Sequence, residues 1–410
     1  MSKRAFAVLL ACFFTILISY AVRYGYGVIL PEMLPALSIT KTEAGVIFAA
    51  FFIAYTLFSP LVGVISDRYD VRLLISVFVA LLGMGTLLMS YSSSVVTASL
   101  FFTLAGIGST ACWTPVMAVA QRWASDKRRG ITLASIDAGS SLGIVAGGTV
   151  VPLIVISDGW RAGWMSLGLF ALLVAVVDFF LVRSKMEKKS SLRPARNEQR
   201  SLVSLKTAYL QFARDSRFWL IGIAYLFTGF SIILPFTFLS TYAVQELSFS
   251  YQSATRLMMI VGVSATVFKL IMGYFSDAIG RMRVMLLCAV LISLGCWGIT
   301  LKQGSLVLTL STIVFGCGYG ACWSMYAAIA SDYFSKEVAG GIIGLWTMLL
   351  GIGSLISPII AGWLADTMGT LVWSFYLAMT GGVLSLILLI LAWMKSFQRS
   401  REEINALHFR

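Results

Sequence analysis

Apolar residues run along this chain in stretches broken only by short polar segments. Each stretch reaches or approaches the ~18 residues that a helix needs to cross a bilayer. The stretches cover 6–30, 44–66, 73–91, 95–121, 131–156, 163–183, 217–243, 254–276, 284–301, 305–330, 338–363 and 371–395. Hydrocarbon offers the backbone no hydrogen-bond partners, so runs this apolar predict twelve transmembrane helices. The pattern fails over RSKMEKKSSLRPARNEQRSLVSLK (183–206), which is basic and rich in serine. It predicts a linker at 185–216 between an N-terminal bundle (1–184) and a C-terminal bundle (217–410). A short amphipathic helix is expected on the membrane surface at 201–214. The first apolar run is too long for a signal peptide and lacks a small-residue cleavage site.

The two halves repeat each other. Gly63, Ser66 and Asp67 align with Gly273, Ser276 and Asp277, and GIGSTACW from Gly106 aligns with GCGYGACW from Gly316, all at an offset of 210 residues. Across 106–130 and 316–340, 9 of 25 positions agree without a gap, too many in one register for coincidence. Duplicated halves in a membrane chain imply a transporter with its site between them. The fold class is therefore an all-α membrane protein with two pseudo-symmetric six-helix bundles.

Charge then orients the chain. The net charge of +13 could suggest nucleic acid, but its placement excludes that reading. Of 31 Lys and Arg, 25 fall at the termini, the linker and the loops on the same side. Only Lys41, Arg161, Arg256 and Lys302 fall opposite, and Arg23 and Lys269 lie within spans. That asymmetry puts both termini in the cytoplasm, with the basic face toward membrane lipid. The six cysteines all sit in spans, and the one histidine is His408 in the tail, so neither a zinc site nor a disulfide framework is expected. No phosphate-binding loop, nucleophile–base set or cofactor motif stands out, which argues against an enzyme.

Together these features resemble the major facilitator superfamily along essentially the whole chain. The loop signature Gly-x-x-x-Asp-Arg/Lys-x-Gly-Arg/Lys reads here as Gly63, Asp67, Arg68, then Asp70 in place of glycine, with Arg72 one position late. The second copy is Gly273, Asp277, Gly280 and Arg281, with Ala278 replacing a base. The resemblance implies that Asp67, Arg68, Asp277 and Arg281 latch the cytoplasmic gate. In the fifth span, Gly139, Gly143, Gly147 and Gly148 resemble the exporter motif of this superfamily, with Ile144 in place of its proline. A narrower likeness is to the monocarboxylate and oxalate–formate branches. It rests on Lys269 four residues before Gly273, on Arg23, on Pro31-Glu32-Met33 and on Gly159-Trp160-Arg161; Ala265 stands where those branches tend to carry a carboxylate.

Two buried cations from opposite halves point to an anion, because such charges need a partner or a purpose. Arg23 is expected about 25 Å, and Lys269 about 12 Å, from the cytoplasmic face. Arg23 could instead snorkel outward or pair with Glu32, and Lys269 could form a structural salt bridge. Asp137, about 10 Å deep, shares its level with Lys269. The resemblance implies that the fifth and eighth helices are neighbours, so the two can meet. That makes Asp137 the candidate proton-coupling residue, with a static pair as the plain alternative. Asp178 is the other candidate proton carrier; the resemblance implies that its helix, the sixth, is peripheral, which favours a structural role. Tyr20, Tyr26, Trp113, Tyr319, Trp323 and Tyr326 are candidates for the wall around a carbon skeleton, or for helix packing. Phe230 lies nearby in the seventh span.

The sequence thus predicts a secondary transporter of a small organic anion, a mono- or dicarboxylate, coupled to protons or exchanged for another anion and working by alternating access; the resemblance implies a monomer. It would sit in a bacterial inner membrane. An exporter of amphipathic compounds is the alternative and would call for an unpaired carboxylate in the cavity. A sensor would call for a signalling domain.

Overall fold

Proline, glycine and capping residues set where the helices of this protein begin, bend and turn back. The computed structural model describes residues 3–66, 69–124, 129–183, 215–334 and 336–408. Residues 185–214 of the proposed linker, with its surface helix, and Asp67 and Arg68 therefore lie outside the described residues. All described regular structure is helical. The first half comprises α1 (Lys3–Leu37), α2 (Lys41–Ser66), α3 (Val71–Met89), α4 (Val95–Ser109), α5 (Thr114–Trp123) and α6 (Arg129–Leu181). The second comprises α7 (Ser216–Gln245), α8 (Tyr251–Ile279), α9 (Arg281–Ile299), α10 (Gly304–Tyr333), α11 (Lys336–Met368) and α12 (Val372–His408). Eleven segments are long and apolar enough to cross a membrane. One of them, α6, reverses at Gly159 (φ 82°, ψ 169°), so it supplies two crossings. That backbone conformation is open to glycine and strained for other residues.

Local chemistry explains the departures from regularity. Asp70, which replaces the signature glycine, caps α3 by accepting from the Arg72 backbone N–H at 2.9 Å. Ser94 and Thr97 form a capping box that starts α4. The fourth crossing breaks at a 3-10 turn, Thr110–Cys112, before Pro115, which cannot donate to the preceding turn. Its repeat mate α10 runs unbroken through Trp323, with Met325 in place of the proline.

Within each half the repeat governs packing. Gly106 lies against the Phe51 backbone and Gly316 against Val261; Gly108 lies against Leu82 and Gly318 against Ile292; Gly85 lies against Ala105 and Gly295 against Phe315. Every pair keeps the 210-residue offset, so the same small residues let the same helices approach in both halves.

The halves meet at the end of the molecule remote from the chain termini. There Gly45 of α2 touches the Pro358 carbonyl of α11, and Gly362 touches the Lys41 carbonyl. Gly27 of α1 touches the Phe236 carbonyl of α7, and Tyr251 donates to the Val28 carbonyl at 2.9 Å. Gly148 and Gly262 bring α6 against α8. Asp366 of α11 caps α2 across the seam, accepting from the backbone N–H of Lys41 (3.1 Å) and Thr42 (2.8 Å) and from the Thr42 hydroxyl. Lys41 also pairs with Glu246 of the second half at 3.8 Å. Toward the termini the halves part: a side chain at Gly273 or Gly344 would meet nothing within 4 Å. The far end is closed, and the described residues of the near end are more openly packed.

Asp366→Ala should weaken that closure. An N-cap carboxylate contributes about 1 kcal/mol, so the far end should open roughly fivefold more often. Alkylation of a cysteine introduced by Ile359→Cys, beside Gly45 in the seam, would measure it; an unchanged rate would show that the cap does not hold the gate.

Candidate functional site

At mid-depth α1 delivers Arg23 into a cage of first-half side chains, one residue before Tyr24, which reaches the second half. The Arg23 side chain is only 6% exposed, so it neither snorkels outward nor reaches the exposed Glu32. Its guanidinium carbon lies 4.7 Å from the Tyr55 ring centroid, 5.1 Å from Tyr20, 5.4 Å from Phe51 and 5.6 Å from Phe52. One terminal nitrogen donates to Ser109 Oγ at 3.2 Å, and Ser109 Oγ lies 2.8 Å from Ser19 Oγ. The Arg23 Nε has no partner, and among the described residues no carboxylate pairs with this cation. Four ring faces stand in for the missing counter-charge.

Lys269 of α8 and Asp137 of α6 meet across the seam. Nζ donates to Asp137 Oδ2 at 2.9 Å and to Ser140 Oγ at 3.3 Å. The Ser140 hydroxyl also donates to the Asp137 carbonyl at 2.6 Å. Both charged side chains keep about a fifth to a quarter of their surface, 21% and 25%. This pair lies nearer the end that carries the termini than Arg23 does.

The aromatic candidates divide. Tyr20 lies 6.1 Å from Trp113, and Tyr24 lies 4.0 Å from Phe236 across the seam. The Tyr319 hydroxyl donates to the Tyr24 hydroxyl at 3.4 Å, and Trp323 stands 6.3 Å from Tyr319 with its indole N–H unpartnered. These residues line one seam. Tyr26 does not join them. Its hydroxyl donates to the Ala44 carbonyl at 2.7 Å, and its ring packs among Phe48, Phe102 and Trp164 inside the first half. Two residues on from Tyr24, the helix turns it away from the seam. Tyr326 is set back too: it stacks on Tyr225 at 3.9 Å, and its hydroxyl meets Thr228 Oγ1 at 2.9 Å, which in turn lies 2.8 Å from Ser385 Oγ. Phe230 packs over Gly381.

At the near end Arg281 pairs with Asp332 at 2.9 Å in an exposed bridge. Asp178 is fully buried and does not face the seam; its role is taken up below. The described cysteines are free, and no group of metal-ligating side chains occurs among the described residues.

Sequence reasoning missed Tyr55, Phe51, Phe52, Ser109 and Tyr225. Phe51 and Tyr55 show the four-residue spacing of one helix face, but in so apolar a span that spacing also describes ordinary packing.

Two helical halves around a polar seam, closed at one end, define a membrane transporter. The chain belongs to the Major Facilitator Superfamily, whose profile matches residues 12–269 and 245–407. It is 24% identical over 392 residues to a hexuronate transporter of Bacillus subtilis, covering 92% of each chain. It is 23% identical over 408 residues to monocarboxylate transporter 12 of Xenopus laevis, covering 94% of this chain and 88% of that one. Among solved structures it resembles a nucleoside transporter variant with a TM-score of 0.76 and 15% identity, over 94% of this chain and 99% of that one, a likeness of fold alone.

Proposed function

We propose that this protein carries a small organic anion together with protons, by rocking its two halves about the seam. The reading rests above all on Arg23, a buried guanidinium that no carboxylate neutralises. A substrate carboxylate would accept from its free nitrogen and supply the missing charge. Lys269 is the second anchor, held by Asp137 until an anion competes for it. Asp137 would then take a proton, since a carboxylate that loses its cation favours the neutral form. Tyr20, Trp113, Tyr319 and Trp323 would enclose the carbon skeleton, with the free Trp323 indole ready to donate to a second oxygen of the substrate. An oxygen-rich acid, such as the hexuronate named for the Bacillus relative, suits that wall better than a plain aliphatic one.

The basic residues clustered beside the termini assign that end to the cytoplasm, so the closed end is external. Residues 1–184 and 217–410 would move as bodies joined by the 185–216 linker, in a monomer in a bacterial inner membrane, with Arg281 and the other signature residues bracing the cytoplasmic gate. An exporter would need its unpaired carboxylate in the cavity, whereas Asp178 is sealed inside the first half.

Uptake of labelled D-glucuronate and L-lactate into proteoliposomes under an inward proton gradient tests this. The gradient should stimulate uptake of one acid, and Lys269→Ala should lower it thirtyfold or more, as expected when a charged contact of about 2–5 kcal/mol is lost. Near-normal uptake by Lys269→Ala would remove that residue from the site, and no uptake of any acid would overturn the reading.

A further inference from the structure

Asp178 lies in the second arm of α6, and none of its surface reaches solvent. Its Oδ2 is 2.7 Å from Thr15 Oγ1 of α1, and its Oδ1 has no partner. No cation pairs with it among the described residues. The same Thr15 oxygen lies 3.0 Å from the Ala11 carbonyl. A hydroxyl has one proton to give, and neither a carboxylate nor a carbonyl oxygen has any. Thr15 therefore cannot donate to both at once. Both contacts become hydrogen bonds if Asp178 holds a proton on Oδ2 and donates it to Thr15, while Thr15 donates to Ala11. A sealed carboxylate with a single hydrogen bond and no cation is otherwise a costly arrangement.

The surroundings contain little else that could hold or balance the charge. From α1, Cys12 faces the site, and from the turn between α4 and α5, Cys112 does; both are buried free thiols. From α3, the Arg72 guanidinium lies 4.9 Å from the Phe179 ring centroid and pairs at 3.8 Å with Asp70. On α6 itself the nearest ionisable groups are Arg183 beyond its end and Arg161 on the far side of its arm. Thr15, Ser19 and Arg23 share one face of α1 at four-residue spacing, and Ser19 meets Arg23 through Ser109. The spacing from Thr15 to Arg23 is about 12 Å.

We propose that Asp178 is an exchangeable proton-binding site, filled in the conformation with the far end closed, and that its charge tunes Arg23. With the proton bound, Arg23 is the unbalanced charge of the first half and attracts an anion. With the proton gone, the carboxylate offsets Arg23 and anion affinity falls about tenfold, the effect of a unit charge at that spacing in a medium of intermediate dielectric. Proton and anion would thus be favoured together. This tuning rests on the proposed transport of an anion; the proton site itself does not.

Infrared spectra of the purified full chain in nanodiscs separate the two. A protonated carboxyl gives a carbonyl stretch above the amide I envelope. At pH 7 that band should be present, fall reversibly as the pH is raised, vanish in Asp178→Asn and survive in Asp137→Asn. Thr15→Val should shift it, because the acceptor of its hydrogen bond is gone; this second variant serves if Asp178→Asn does not fold. A missing band, a band unchanged in Asp178→Asn or a band that persists at every pH would overturn the proton site. In proteoliposomes Asp178→Asn should keep exchange of labelled for unlabelled D-glucuronate and show weaker stimulation by the proton gradient, since Asp137 still takes its proton. Stimulation as large as in the wild type would overturn the tuning while leaving the infrared result standing, and failure of the wild type to take up any acid would take the tuning down with the transport reading.

Discussion

Arg23→Met should abolish transport while leaving the protein at least as stable as before. Arg23 is buried at 6% exposure, and its charge is balanced by the faces of Tyr20, Phe51, Phe52 and Tyr55 instead of by a carboxylate. Rings attract a desolvated cation by about 2 kcal/mol, which is less than the several kcal/mol that burying an ion costs. Folding therefore gains little from the charge, and an apolar chain of similar length should pack in the same cage. Ser109 keeps a partner in Ser19 and Tyr24 keeps one in Tyr319, so only the partly exposed Tyr55 hydroxyl loses a contact. Substrate binding, by contrast, would lose a charge-assisted contact of about 2–5 kcal/mol, or thirtyfold and upward in uptake. Arg23→Lys should be nearly as poor. It keeps the charge but presents a compact, strongly hydrated ammonium where a planar, weakly hydrated fork had stacked on rings. Uptake assays set beside thermal unfolding would decide. A variant that unfolds early, or one that transports within twofold of the wild type, would each contradict the argument.

The same residue marks the limit of what the amino-acid sequence reveals. The packing residues obey the repeat: Gly85, Gly106 and Gly108 and their mates contact the same neighbours at the same offset. Twelve crossings and two matching bundles could therefore be read from hydropathy and duplication. The chemistry breaks the repeat. At the equivalent positions Arg23 faces Ile233, Asp137 faces Thr347, Lys269 faces Ser59, Tyr55 faces Ala265, Ser109 faces Tyr319 and Asp178 faces Leu388. A charge in a hydrocarbon span announces itself, which is why Arg23, Lys269 and Asp137 were legible; the Lys269–Asp137 contact could be expected from equal depth only with the helix neighbours that the family resemblance implied. The aromatic cage could not, since Phe and Tyr in a membrane helix serve packing and binding with the same spacing. Tyr26 misled for that reason: two residues along α1 from Tyr24, it belongs to the interior of one bundle.

Gly45→Leu should trap the transporter with its far end open. Gly45 of α2 faces the Pro358 carbonyl and Ile359 backbone of α11, so a side chain there meets main chain, which cannot swing aside. These helices belong to different halves, so if the halves rock as proposed the contact is made only while the far end is closed. Rigid halves can relieve the clash by staying apart, so the penalty falls on one conformation and spares the fold. Overpacking costs about 1–3 kcal/mol, sometimes more, so the closed state should be depleted roughly fivefold to a hundredfold, and uptake with it. Gly108→Leu provides the contrast. Its neighbours, Leu82 and Phe78 of α3, lie in the same half, so the clash persists in every conformation and should unfold the protein. With Ile359→Cys as a reporter, Gly45→Leu should raise the alkylation rate at unchanged thermal stability. Unfolding of Gly45→Leu alongside Gly108→Leu would mean that the α2–α11 contact is part of the fold and not a gate.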